Sequence, residues 1–270
     1  LHGVTLPHEG RGHVVCTPVG PLLAYRIDED RVRVCLDVPT GLKRRADRAE
    51  RLARALGSAL PEGLAGPVVD ALRSGRLQWA VNEIRPRTTM HRYGVALVGD
   101  AAGCCHPLTG LGMTLGFADA VSLATATNLD RWAAERRRAS RAPALLATAL
   151  YQVFATPVLP ARACRDAIGA MWADPRLRTR AVSVLAADDP RVRPLLGLGT
   201  RMIGGAARRL IAQARDAGAL SEGAAALADL SAFAAWLTLG AAPSRLGDTV
   251  PRSILPFDDP RAADLAVPKP

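Results

Sequence analysis

The segment richest in chemistry runs Gly99-Asp100-Ala101-Ala102-Gly103-Cys104-Cys105-His106-Pro107-Leu108-Thr109-Gly110-Leu111-Gly112-Met113-Thr114. A glycine at a strand end lets a ligand come close to the backbone, and the carboxylate beside it accepts hydrogen bonds from polyol hydroxyls. The glycine-rich turn that follows exposes backbone N–H groups at a helix start, where unpaired donors and the helix dipole favour negative charge. Asp100 also has a plainer reading as a cap or turn residue after a strand. His106 reads as a packed loop histidine ahead of a catalytic one. Cys104 and Cys105 read as small buried hydrophobes. Tyr151 and Phe154, three apart in helical text, suit a core and a ligand pocket equally. Asp119, inside the apolar helix after the motif, is expected to face solvent or another helix end.

The elements that must position this segment follow from periodicity. Strand-like runs at HVVCTP, LLAYRI and RVRVCLDV begin at His13, Leu22 and Arg31, and Asp28-Glu29-Asp30 predicts an antiparallel hairpin between the last two. Arg44 to Leu60 has helical period, with Leu52, Ala53, Leu56 and Leu60 on one face and Gly57 and Pro61 marking its end. Leu77 to Arg85 is strand-like and is expected to close the sheet from the other side. Val95 to Val98 is a short apolar strand ending at Gly99-Asp100, and an apolar helix starts near Met113. Arg131 to Arg141 forms a basic helical face whose arginines, Arg136, Arg137 and Arg138, are read as solvated. Ala- and Leu-rich text with a break near Pro157 to Pro160 follows, and helices are predicted across Leu195 to Ala212 and Ala224 to Leu239. The expected fold class is α+β, divided into a substrate-domain sheet with helix at 1–92, the strand, loop and helix of the motif at 93–130, a helical region at 131–242 and a Pro-rich tail at 243–270.

Composition narrows the function classes. With 270 residues, 49% of them hydrophobic and only 4% aromatic, the chain can bury a core built mainly from Leu, Val and Ala. The formal charge of +10 suits an anionic surface. The basic residues are mostly arginines scattered through helical stretches, without interleaved aromatics or any finger or RNP-like motif, so no nucleic-acid partner is expected. Five cysteines without C-x-x-C spacing read as reduced thiols, and five histidines without H-E-x-x-H give no metal site. The chain starts at Leu1 without a leader-like segment, and no uninterrupted apolar run of about 18 residues occurs. A cytoplasmic location is expected, with peripheral membrane contact through the basic face as the alternative to a solvated one.

The motif resembles the second FAD-binding motif of the aromatic-hydroxylase and squalene-monooxygenase superfamily, and the string HPLTGLGMT resembles squalene monooxygenases (squalene epoxidases) in particular. PVGPLLAYRIDEDRVRVCLDVP is similar to that family's substrate-domain strands, and LLATALYQVF to one of its later helices, so the resemblance runs from Leu1 to Met171. It implies that Gly99 and Asp100 meet the FAD ribitol, that Gly110, Gly112 and Met113 meet the pyrimidine edge of the flavin, and that Pro107 sits beside the ring. It also implies that Leu23, Tyr25, Tyr151 and Phe154 line an apolar substrate pocket. The implied reaction is epoxidation of an apolar, alkene-bearing, terpenoid-like substrate with molecular oxygen, FAD and NAD(P)H, with a reductase or the missing N-terminal half as partner. Three departures qualify the pattern: Leu111 interrupts the family's glycine run, Cys104 and Cys105 stand where the family usually has other residues, and no G-x-G-x-x-G follows an early strand. The dinucleotide-binding half is expected outside these residues, making the chain a C-terminal fragment of an α/β flavoprotein. A ligand-binding remnant without redox chemistry, and flavin enzymes of other reaction types (aromatic hydroxylase, halogenase, prenyl-chain reductase), stay open.

Overall fold

The computed structural model describes residues 1–39, 42, 47–80, 84, 85, 87–189 and 191–241. The Pro-rich stretch 243–270 and the first residues of the predicted Arg44–Leu60 helix lie outside them. The fold is α+β: small antiparallel sheets precede a long run of helices. Two compact units emerge, one of Leu1–Asn82 with Phe154–Pro157, the other of Glu83–Val153 and the helices from Val158 onward.

The first unit is a three-stranded antiparallel sheet in the order β1 (His13–Cys16), β2 (Pro21–Arg26), β3 (Val32–Leu36), with helices α1 (Arg48–Gly57) and α2 (Glu62–Arg73). Turn chemistry sets the register. Thr17 Oγ1 donates to the Gly20 carbonyl at 2.7 Å and accepts from the Val19 and Gly20 amides, closing the β1–β2 link. Asp28 Oδ1 accepts from the Asp30 and Arg31 amides at 3.2 and 2.9 Å, an Asx turn that folds the predicted hairpin between β2 and β3. Strand alternation then sends Leu22 and Ala24 into a core shared with Val32, Leu52, Leu56 and Leu64. Leu23 and Tyr25 point to the opposite face. The expected closing strand is absent from the described part of 77–85: Leu77–Ala80, Ile84 and Arg85 are irregular. Its apolar residues Leu77, Trp79 and Ile84 stay more than a third exposed, with Trp79 under the Arg48 guanidinium. Alternation alone does not make a strand where no sheet edge is taken up.

In the second unit, β4 (His91–Arg92) and β5 (Val95–Ala96) pair around the two-residue turn Tyr93-Gly94, both at positive φ (52° and 78°), the geometry of a type I′ hairpin. The predicted strand before Gly99-Asp100 is thus only two residues long. Six helices follow among the described residues: α3 (Gly112–Ala124), α4 (Leu129–Ala155), α5 (Leu159–Ala173), α6 (Pro175–Leu185), α7 (Val192–Asp216) and α8 (Leu220–Ala241). α4 carries the basic face and the Leu-rich text as one helix, and the break falls after Ala155, where prolines stop it. Small residues let these helices approach closely. A Cβ on Gly205 would meet the Ala167 Cβ at 3.0 Å, and one on Gly199 would meet Leu237 Cδ2 at 2.5 Å. Within α8, Leu220–Gly240 is long and apolar enough to cross a membrane by length and composition, though it carries Glu222 and Asp229. The core helix of a soluble protein meets the same criterion, and Phe233 and Trp236 of α8 are buried and stacked at 5.6 Å.

Candidate flavin-binding loop

After β5 the backbone turns sharply at Gly99, at φ 57°, into a single 3-10 turn, Gly99–Ala101, that leaves Asp100 at the surface. This turn is bolted from behind. The Gly99 amide donates to Asp119 Oδ2 on α3 at 2.9 Å, and Gly99 and Gly116 meet so closely that a Cβ on Gly116 would come 3.3 Å from the Gly99 Cα. A side chain on Gly116 would require the Gly99 turn to give by a few tenths of an ångström. In front, the Asp100 carbonyl accepts from Arg85 Nη2 at 3.1 Å.

A second 3-10 turn, Pro107–Thr109, is held by His106, which is 5% exposed. His106 Nδ1 accepts from the Leu108 amide at 3.2 Å, and the ring packs on Tyr151 with centroids 4.1 Å apart. With Nδ1 accepting, a neutral ring carries its proton on Nε2. Gly110 then takes the left-handed conformation at φ 66°, and α3 begins at Gly112 without a side-chain cap. Gly112, Met113 and Thr114 are all exposed, so the first amides of a 13-residue helix face outward with their partial positive charge available. The two turns converge: Asp100 Oδ1 lies 3.6 Å from where a Gly112 Cβ would stand. One surface therefore presents a carboxylate, an uncapped helix start and the exposed Pro107 ring.

The other expected residues are divided between the two units. Leu23 and Tyr25, half-buried on the outer face of the sheet, stand beside Val14, Cys35 and Arg33 through the register of β1, β2 and β3. Phe154 belongs to that unit, while Tyr151 belongs to the other, against His106. Cys104 and Cys105 are half-buried rather than buried, and burial raises the Cys105 thiol pKa above its usual value.

Two expectations are corrected behind the loop. Asp119 does not face solvent; it is fully buried. Its carboxylate takes Arg87 Nη2 and the Gly99 amide on Oδ2 and Arg136 Nε, at 2.9 Å, on Oδ1. Arg136 accordingly leaves the solvated face, its side chain only 13% exposed, while Arg137 and Arg138 stay exposed. A buried carboxylate demands paired partners, and two guanidiniums plus an amide satisfy it. The available signal was the charge itself: an Asp in a helix whose other residues are apolar or small needs a cation, and arginines lie on both sides of it in sequence.

The family model described as squalene epoxidase matches residues 1–170. The chain belongs to the squalene epoxidase family. A squalene epoxidase of Aspergillus fumigatus is 29% identical over 172 residues, covering 56% of this chain and 35% of that protein. A squalene monooxygenase of Panax ginseng is 30% identical over 186 residues (62% and 34%), and that of Mus musculus 34% over 99 residues (37% and 17%). The chain thus spans about a third of the length of the first of these curated relatives. The matched region contains the outer sheet face, the whole Gly99–Thr114 loop, all of α4 and most of α5, whereas α6, α7 and α8 lie beyond it.

Proposed function

We propose that this chain supplies the flavin-edge loop and part of the substrate wall of an FAD-dependent monooxygenase that epoxidises an apolar, alkene-bearing substrate of terpenoid type. The observation that carries the reading is the uncapped, exposed start of α3 standing directly beside the Asp100 carboxylate. Those donors and that acceptor fit a flavin: Asp100 would accept from ribitol hydroxyls, and the amides at Gly112 and Met113, following the left-handed Gly110, would stabilise negative charge at the pyrimidine edge. Gly99 keeps the strand end open to the chain of the cofactor, and Pro107 offers a flat apolar ring beside it. Bound FAD, once reduced by NAD(P)H through a reductase, supplies the activation of molecular oxygen.

The protein's share is position and dryness. His106 fixes the Pro107 turn, and Asp119 with Arg87 and Arg136 fixes Gly99. Leu23, Tyr25 and Phe154 in the sheet unit, and Tyr151 in the other, are each proposed as apolar residues that meet the substrate. The domain division at 1–92, 93–130 and 131–242 belongs to the same proposal. So does a dinucleotide-binding half contributed by another part of the protein, which the outward apolar stripe Met113, Phe117 and Val121 on α3 supports, at 75%, 69% and 72% exposure. The location proposed is cytoplasmic with peripheral membrane contact.

The test uses the protein expressed in full from its gene, with NAD(P)H, a reductase and squalene. The expected result is a product heavier by one oxygen atom, and Asp100→Ala lowering flavin occupancy about tenfold. A product gaining only hydrogen would mark a reductase, and ligand binding without NAD(P)H oxidation would mark a non-redox module; either overturns the proposal.

A further inference from the structure

A second feature lies away from the flavin-edge loop, largely past the residues that the family model matches. Between α5, α6 and α7 runs an open cavity of about 660 Å3, within the size range of ligand sites. Its floor is Gly204 and Gly205 of α7 against Ala167 of α5, where the helices touch. Met171 and Leu177 wall it. A Cβ on Gly204 would meet only Arg208 Nη1, at 3.8 Å, so the space above Gly204 is free.

Charge is one-sided around this trough. Arg201 and Arg208 line it from the same helix, seven residues and so about 10 Å apart. Both are exposed, and neither makes a hydrogen bond or an ion pair with any described residue. Arg209 is engaged with Asp166, donating to its carbonyl at 3.4 Å. The acidic residue in the lining, Asp174, is committed as the cap of α6, accepting from the Arg176 and Leu177 amides at 2.8 and 3.2 Å. Two uncommitted guanidiniums above an apolar floor match a ligand with an acidic head and an aliphatic body. A free phosphate would leave the floor unused, and a neutral oil would leave the arginines unused.

We propose that this trough binds the monomer of an anionic amphiphile, a phosphate-headed lipid with a single alkyl chain, its head on Arg201 and Arg208 and its chain over Gly204 and Gly205. The site is independent of the flavin reading. The test titrates the 270-residue chain with oleoyl lysophosphatidate below its critical micelle concentration, by calorimetry. Saturable one-to-one binding is expected. The pair Arg201→Gln with Arg208→Gln should weaken it at least about tenfold, and Gly204→Leu, which fills the trough without a backbone clash, should abolish it while helicity by circular dichroism is kept. The proposal fails if both variants bind like the parent. It fails equally if monoolein binds as tightly as the acid, if inorganic phosphate binds alone with equal affinity, or if binding occurs only to anionic vesicles, which would make the arginines a membrane-contact surface.

Discussion

Removing the Asp119 carboxylate is the sharpest perturbation available, because three groups depend on it at once. In Asp119→Ala, Arg87 is left with a side chain only 4% exposed and no anion, and stranding a buried charge costs about 3–5 kcal/mol. The Gly99 amide loses its acceptor as well, adding about 1 kcal/mol. Arg136, at 13% exposure, can turn toward water and adds little. The sum, about 4–6 kcal/mol, is a large share of a domain's stability and corresponds to a fall in Tm of roughly 8–24 °C for a unit of this size. Urea unfolding followed by far-UV circular dichroism measures it directly. The conservative Asp119→Asn keeps an acceptor for the Gly99 amide but still leaves Arg87 without an anion, so it should recover only about 1 kcal/mol of the Asp119→Ala loss. Adding Arg87→Met to Asp119→Ala should recover stability, since an apolar replacement of both partners removes the stranded charge. A loss below about 1 kcal/mol for Asp119→Ala, or a double variant no more stable than the single one, would refute the assignment of Asp119 as the anchor of the loop.

Three further outcomes follow from single positions. Gly20→Ala places a Cβ 2.5 Å from the Asp37 carbonyl oxygen, backbone against backbone, and should destabilise the sheet unit by about 1–3 kcal/mol in a urea titration. Gly99→Ala forces a side chain to φ 57° and should cost about 1–2 kcal/mol, measured in the same way. Burial raises the Cys164 thiol from 9.0 to about 11, so the folded state holds a proton that the unfolded state releases. That stabilisation is complete below about pH 9 and falls by roughly 2–3 kcal/mol as pH rises through about 11. Cys164→Ala should flatten this step, and a thiol reagent at neutral pH should modify exposed Cys16 and Cys35 while sparing Cys164.

How far the sequence could be read depended on whether a signal was local. The β2–β3 hairpin was legible because Asp28 makes its own turn; the end of α1 was legible only in part, since the helix stops at Gly57 ahead of the expected Leu60 and Pro61 caps the start of α2. The Gly99–Thr114 loop was legible as a strand, turn and helix start because glycines at positive φ and an uncapped helix are written in residue types. The Leu77–Arg85 segment shows the limit: its alternation fits a strand, yet pairing is a property of the neighbour and not of the segment. The contact between the Tyr151 and His106 rings is likewise not written in helical spacing.

Helix α3 shows the deeper reason. An amphipathic reading turns apolar residues inward and charge outward, and by that rule Asp119 belongs at the surface and Phe117 in the core. The structure reverses both: Asp119 is fully buried and Phe117 is 69% exposed, with Met113 and Val121 in line with it at four-residue steps. The reversal is possible because Arg87, 32 residues upstream, and Arg136, 17 residues downstream, arrive to neutralise the carboxylate, and no local pattern encodes that meeting. The outward stripe remains a cost in water unless something covers it. A proposal in which a further part of the protein packs on α3 accounts for both halves of the reversal: the ionic cluster fixes one side of the helix to the loop, and the apolar side is left for the partner. The two sides separate in experiment, since Phe117→Ser should leave the stability of this chain nearly unchanged, whereas Asp119→Ala should not.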